Sequence, residues 1–364
     1  MPNQHRGTFG LTEVQNLALQ HFGIHAEVTP LPGYLDLNYH LQAAKGQAYV
    51  LKIAHAGEER ATLEMQNALL LHLAQQEKKL LLPRLVKNLG GQALMVITDD
   101  QGTARWLRML TWVPGQLWAK TRPHTTDLRE ALGRVCGTLD QALSTFDHPA
   151  AHRRLDWDLG RAIWIKQYQT YLKTPDQKDT VHYFIERYEK QVLPQLPQLR
   201  QSVIHSDLND YNILVQQRGA EIQVGLFDFG DTVYSHTINE VAIAAAYVGM
   251  GQNDPLRAIA ELVRGYHSAY PLTEKEISML YGLIAMRLCV TVCTAAHKRQ
   301  VEPQNAYLLI SEAPAWQLLN QWKAIDPALA HYTFRAVCAL EPCPQNEFFQ
   351  AWLQNQPIPF SDIL

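Results

Sequence analysis

Residues 203–231 read VIHSDLNDYNILVQQRGAEIQVGLFDFGD, and the fold turns on them. Asn212 to Val215 and Ile222 to Phe229 are short apolar runs with β-branched members, separated by a polar turn that carries Gly219. Two such runs with a glycine-bearing turn between them predict a β-hairpin. A hairpin centred near Ala220 sets Asn212 across from Asp228, because the two lie equally far from that centre. Directly opposed side chains are roughly 5 Å apart, so an amide oxygen and a carboxylate share one end of the hairpin. Both are hard oxygen donors of the kind Mg²⁺ takes. Asp207, on the loop just before, reaches the same place, and a carboxylate beside a metal site is what phosphoryl transfer needs.

Around this stretch lies a chain of 364 residues, 47% hydrophobic and 18% charged, long enough for two lobes with a packed core. A formal charge of −3 makes no electrostatic case for nucleic acid or an anionic membrane as a partner. The five cysteines are scattered, odd in number and without metal-ligand spacing, which fits packed thiols in a reducing cytosol and a cytoplasmic protein. The histidines are dispersed, and no zinc site is expected. The first ten residues lack the apolar segment of a signal peptide and read as a loose lead-in. The most membrane-like run begins at Ile277, but Arg287 in its middle would cost about 2.5–3.5 kcal/mol at a bilayer centre. Thr273 with Glu276 makes a capping box in front of that run. The expectation is a buried helix of the larger lobe, with no membrane partner.

Taken in order, residues 11–22 form an amphipathic helix stopped by Gly23. Strands follow near 25–31, 35–41 and 47–54, punctuated by Pro32-Gly33 and Lys45-Gly46. A helix spans 58–76, and two more strands cover 93–98 and 104–113. From Thr111 onward the pattern turns helical, with helices at 124–146, 158–174, 178–193, 236–250, 254–269, 274–299 and 312–322 and two more after 325. Pro303, Pro314 and the proline-rich end read as loops or tail.

The ordered pair His205-x-Asp207-x-x-x-x-Asn212 and Asp228-Phe229-Gly230 resembles the catalytic and metal loops of the kinase fold. Ser206 stands where protein kinases carry arginine, as in small-molecule kinases of the aminoglycoside phosphotransferase and choline kinase type. The longer strings HSDLNDYNILV, GLFDFGDTVYSHTINEVAIAAAY and LIAMRLCVTVCTAAHKRQVEPQNAYLLISEAPAWQLL most resemble the hydroxylysine kinase branch of that superfamily. The likeness runs over nearly the whole chain, the two ends excepted. It implies an α+β, protein-kinase-like two-lobed fold: a small antiparallel-sheet N-lobe over 1–110, a hinge at 111–115 and a large, mainly helical C-lobe over 116–364.

The implied activity is transfer of the γ-phosphoryl of ATP or GTP, with Mg²⁺, to a hydroxyl of a small amine-bearing metabolite. 5-Hydroxylysine is the first expectation for the acceptor; homoserine, choline or ethanolamine, and aminoglycosides are the alternatives. An inactive nucleotide-binding regulatory module is a reading of another class, and the intact Lys52, Asp207, Asn212 and Asp228 speak against it. A protein kinase is disfavoured, since no A-P-E-type element follows Gly230.

The resemblance also assigns roles. Asp207 would steer or accept the proton of the attacking hydroxyl, with His205 beside it in the catalytic loop and more suited to orienting that loop than to moving protons. Asn212 and Asp228 would hold the metal. Lys52, sharing a strand face with Val50 and Ala54, would meet the α- and β-phosphates. Its partner would be an acid on the next helix, Glu64 first, with Glu58 and Glu59 as rivals. The loop LPGYLDLNYHL has one glycine and no glycine cradle, so Asn38 offers a side-chain donor in its place. Backbone groups of Thr111 and Val113 would meet the purine. For the acceptor's ammonium groups the anions are Asp231, then Asp210 and Asp158, Asp158 serving equally well as a helix N-cap. Glu240 reads as a buried brace of the catalytic loop. Arg287, an isolated cation on an apolar helix, needs a partner, either a substrate carboxylate or an internal acid.

Overall fold

The computed structural model describes residues 9–33, 35–219, 221–302, 310–346, 348 and 351. Helix α1 (Leu11–Phe22) buries Val14, Ala18 and Phe22, one residue per turn, and ends where Gly23 takes φ 69° and returns its N–H to the Ala18 and Leu19 carbonyls. The chain then lays down β1 (Ala26–Leu31), β2 (Leu37–Ala43) and β3 (Ala48–Ile53), crosses through α2 (Arg60–Gln76), and returns as β4 (Leu85–Val86), β5 (Met95–Thr98) and β6 (Ala104–Thr111). All pair antiparallel, in the order β1-β2-β3-β6-β4, with β5 also on β6. Five strands are expected from the sequence and six form. The two-residue β4 is too short to carry a periodic signal.

One face of this sheet packs with α1 into a small core of Val14, Phe22, Leu41, Leu51, Ile53 and Leu107. Helix α2 instead contributes Met65, Leu69 and Leu73 to the large core, so the helix inserted between strands fastens the small lobe to the large one. Past Thr111 the chain adds β7 (Gln116–Leu117) to the edge of the hairpin β9 (Ile213–Arg218)–β10 (Glu221–Leu226), giving the order β10-β9-β7. The segment that leaves the small lobe is thus sewn directly to the hairpin that separates Asp207 and Asn212 from Asp228.

The large lobe is built from α3 (Thr126–Leu143), α4 (Pro175–Arg187), α5 (Ile238–Gly249), α6 (Pro255–Ala269), α7 (Glu274–Val301), α8 (Glu312–Ala324) and α9 (Pro327–Val337). Every residue of α5 is buried. Helix α7 opens on the Thr273–Glu276 capping box and buries most of its apolar run within the lobe, Arg287 included. A short sheet, β8 (Gln201–Ile204) with β11 (Val233–His236), pairs Ile204 with Val233. This ladder was not anticipated. It sets the exit of β8, and hence Asp207, beside the loop that carries Asp231.

Three further expectations are corrected. Residues 158–174 form a 3₁₀ helix, Leu159–Tyr171, rather than an α-helix. Pro314 lies in the first turn of α8, where proline lacks only an N–H that has no intrahelical partner anyway. The hairpin pairing is shifted by one residue from the one assumed above, its centre by half a residue: Leu226 pairs with Ile213, and the Phe227 N–H donates to the Asn212 carbonyl at 3.1 Å. Asn212 therefore opposes Phe227. The first eight residues, Pro303, and most of the second helix and tail after 337 lie outside the described residues.

Helices α3 and α6 approach closely through glycines. A Cβ at Gly137 would stand 2.6 Å from the Tyr266 carbonyl oxygen, and one at Gly133 would collide with the backbone of Leu262. Gly133→Ala is expected to cost about 1–3 kcal/mol, the range for overpacking a tight core. Thermal denaturation, read as a lowered midpoint, checks this.

Candidate functional site

The sheet face that looks across to the hairpin carries Asn38, Lys52 and Arg108 in one row, since Asn38 pairs with Lys52 and Lys52 with Arg108. The Lys52 ammonium lies 3.3 Å from Oδ1 of Asp228. It does not meet Glu64, whose carboxylate is half-exposed and takes Nε of Arg60 at 2.7 Å one helical turn away. The expected Lys52–Glu64 pair is therefore replaced. Arg108 makes the link to α2 instead: its buried guanidinium donates to Oδ1 of Asn67 at 3.2 Å and to Oε1 of Gln66. The helix presents amides at the sheet, so its natural partner is the forked donor and the lysine is left to the hairpin. Glu58 sits 3.5 Å from His55, and Glu59 is the N-cap residue of α2, so neither rival takes Lys52.

The catalytic loop leaves β8 through Ser206 in a left-handed conformation, φ 69°. That backbone costs about 1–3 kcal/mol for a residue other than glycine unless its surroundings hold it. Here the Ser206 N–H donates to Oε2 of Glu240 at 2.9 Å. Glu240 is fully buried, and burial, with the neighbouring Asp207 charge, pushes its carboxyl up to about 8. His205 is fully buried too, its Nε2 bonding the Phe227 carbonyl at 3.0 Å and its Nδ1 accepting from the Asp207 N–H at 3.3 Å. An imidazole spent on both nitrogens positions the loop; it does not reach toward an acceptor.

Asp207 is held from three sides. Oδ2 accepts from the amides of Asn209 at 2.8 Å and Asn212 at 2.9 Å, and Oδ1 from Nη2 of Arg287 at 3.1 Å. Burial raises its carboxyl to about 6, against the downward pull of Arg287 and these amides. Because Asn212 turns its NH₂ toward Asp207, its amide oxygen points elsewhere and is left for a ligand. Asp228 follows in a left-handed conformation, φ 62°. Its carboxylate is half-exposed in the cleft, and Lys52 holds it below the usual range. An amide oxygen and an open, ionised carboxylate are a donor set that fits a hard divalent cation.

Of the other candidates, Asp231 is pushed up to about 7 by burial and by Asp207 and Asp228, with Arg153 pulling down. Arg153 itself holds the Gly230 and Thr232 carbonyls, fixing the loop on which Asp231 sits. Asp210 is raised to about 6 by burial, and its carbonyl receives the Ala119 N–H. Asp158 turns inward: it caps the 3₁₀ helix through the Gly160 N–H at 3.0 Å and accepts from Ser235 at 2.5 Å. That is the N-cap alternative, and it withdraws Asp158 from any acceptor. The Thr111 N–H is taken by the Arg84 carbonyl, and Val113 buries its side chain against Gly225 of the hairpin. Asn38 keeps a buried amide oxygen without a partner. A second cluster, Asp36, His55 and Glu58, gathers where β2 begins and β3 ends; there Nδ1 of His55 accepts the Gly57 N–H at 3.1 Å and its Nε2 lies 3.5 Å from Glu58.

Sequence reasoning missed Arg108, Asn209, Arg153 and Tyr247, the last of which accepts from Nη2 of Arg287 at 3.1 Å. Asn209 had a signal, lying two residues after Asp207. The other three act across elements, where spacing in the chain says nothing.

Comparison with known proteins shows the family and the fold. Residues 27–275 match the family described as "Phosphotransferase enzyme family". A hydroxylysine kinase of Mus musculus is 30% identical over 336 residues, covering 85% of this chain and 89% of its own. Among solved structures, an amicoumacin kinase in complex with AMP-PNP, Ca²⁺ and Ami superposes with TM-score 0.65 at 19% identity, covering 86% of this chain and 94% of that one. A microcompartment-associated aminopropanol kinase gives TM-score 0.58 at 18% identity, over 90% and 99% of the two chains.

Three outcomes are expected. Removing Glu64 breaks only an exposed one-turn pair, so Glu64→Ala should change the nucleotide KM by less than about twofold, while Arg108→Met strands two buried amides and should cost about 1–3 kcal/mol of stability. Nucleotide titrations and thermal melts check both. The third outcome concerns Glu240. With its folded value raised from 4.5 to about 8, the native state keeps a proton that the unfolded chain has lost. Its contribution to stability therefore falls as pH rises through that window and is fully lost above it. Glu240→Gln keeps an acceptor for Ser206 without the charge, so melts between about pH 5 and about pH 8 should show a smaller fall than wild type.

Proposed function

Since the chain belongs to the phosphotransferase enzyme family, we propose that it moves the γ-phosphoryl of ATP or GTP to the hydroxyl of 5-hydroxylysine. The coarser class, a small-molecule kinase acting on an alcohol group, follows from the family and from relatives about 30% identical over most of the chain. The acceptor and the nucleotide are the proposal. One observation carries it: Asp207 is held by Arg287, Asn209 and Asn212 on the large-lobe side of a cleft that the Lys52–Asp228 pair spans.

In this reading the acceptor hydroxyl oxygen bonds to the γ-phosphorus as the bond to the β–γ bridging oxygen breaks. The nucleoside diphosphate leaves with that electron pair, and the hydroxyl proton passes to Asp207 and then to solvent. Asp207 orients the hydroxyl, and a value near 6 leaves it largely ionised at neutral pH. Lys52 neutralises phosphate charge. Asn212 and Asp228 would hold a divalent cation such as Mg²⁺, which neutralises charge on the β- and γ-phosphates. Asp231 is the anion for an acceptor ammonium, with Asp210 further back. The free cysteines, four of them buried, favour a reducing compartment, and we assign the protein to the cytoplasm.

The test is a transfer screen with Mg²⁺, giving ATP and GTP in parallel against 5-hydroxylysine, homoserine, choline, ethanolamine and kanamycin. Turnover of 5-hydroxylysine is expected, lowered about 100- to 10,000-fold in Asp207→Asn. Preference for another acceptor would keep the chemistry and replace the substrate. Nucleotide binding without any turnover would favour the inactive module.

A further inference from the structure

Arg287 sits mid-helix on α7, 4% exposed, and one nitrogen does all its work: Nη2 donates to Asp207 and to the Tyr247 hydroxyl. Nε and Nη1 are buried without a hydrogen-bond partner. The group is also flanked by rings, with centroids of Tyr247 at 5.5 Å and Trp157 at 6.0 Å. A buried guanidinium that leaves most of its donors unmet is costly, and the fork matches a carboxylate. Either edge of that fork pairs Nη2 with one neighbour, Nε or Nη1. Both Nη2 hydrogens are already engaged, so a carboxylate that docks two-pronged must displace either Tyr247 or Asp207. The Tyr247 hydroxyl is buried with Arg287 as its partner, whereas Asp207 is part-exposed and faces the cleft. Asp207 is the group that can yield.

We propose that Arg287 is both the receptor for the acceptor's carboxylate and a latch on Asp207, so that a carboxylate-bearing acceptor frees the oxygen Oδ1 that then orients its own hydroxyl. The inference rests on the kinase reading above and narrows its substrate class to hydroxylated amino acids. Without a carboxylate in place, both Asp207 oxygens are occupied by protein donors, which restrains phosphoryl transfer to water.

The test compares 5-hydroxylysine with its decarboxylated counterpart 1,5-diaminopentan-2-ol, in wild type, Arg287→Lys and Arg287→Met, each checked by thermal melt. Wild type should favour 5-hydroxylysine by about 10- to 100-fold in kcat/KM, the worth of charge-assisted bonds, with part of the loss in kcat. In Arg287→Met the preference should vanish, kcat for the decarboxylated acceptor should rise above wild type, and basal nucleotide hydrolysis should increase. Arg287→Lys should keep a reduced preference. Equal wild-type kcat values for the two acceptors, or folded variants that lose both acceptors alike, would overturn the latch. If wild type phosphorylates neither acceptor, the 5-hydroxylysine reading fails, and hydrolysis decides the latch separately: a rise in a folded Arg287 variant supports it, an unchanged or lower rate overturns it.

Discussion

The site is governed by a crowd of carboxylates with too few cations. Asp207, Asp228 and Asp231 lie on the loops between β8 and α5 with Glu240 in the first turn of α5, and Asp207, Asp231 and Glu240 each feel the charge of at least one of the others. The cations facing them are Lys52, Arg153 and Arg287, with Arg108 also pulling on Asp228 from its buried seat against Gln66 and Asn67. They are unevenly shared. Lys52 commits to Asp228 and keeps it ionised, while Asp207, Asp231 and Glu240 rise to about 6, 7 and 8 in turn. Groups of one chemical type thus acquire separate tasks from burial and charge alone. An open, ionised carboxylate suits a metal. A carboxylate just below neutrality suits a hydroxyl proton, and a protonated brace suits a strained backbone turn.

The same scarcity explains how the lobes are joined. In the expected arrangement an acid on α2 would draw Lys52 back toward the small lobe. Here α2 offers Gln66 and Asn67, and Arg108 takes them. Lys52 is then free to reach the hairpin of the large lobe, so the contact across the cleft is an ion pair rather than an apolar seam. Bound phosphates would compete for that lysine. The link is therefore one that nucleotide itself can loosen, while the permanent attachments, α2 in the large core and β7 on the hairpin, lie away from the chemistry.

Much of this was legible in the chain. The alternation around Lys52, the apolar runs flanking Gly219 and the order of His205, Asp207, Asn212 and Asp228 are local patterns, and local patterns survive in one dimension. The resemblance to small-molecule kinases supplied the topology that periodicity lacks. Where the reading slipped, it did so by one residue or one partner. A hairpin centre misplaced by half a residue moved Asn212 from Phe227 to Asp228. That error is invisible in sequence, because a shift of one residue keeps both runs apolar while exchanging their faces.

The sequence by itself determined the buried character of α7 and the residue types gathered at the site, since these depend on composition, spacing and apolar period, while the two-lobed architecture was implied by the resemblance its motifs carry. Tertiary structure alone decided who pairs with whom. Glu64 and Arg287 illustrate it: the sequence reading makes Glu64 the partner of Lys52 and leaves Arg287 in want of one, and in the fold Glu64 pairs with Arg60 at the surface while Arg287 pairs with Asp207 eighty residues away. Pairing energies depend on distance and desolvation, and both are properties of the folded interior that no stretch of chain contains.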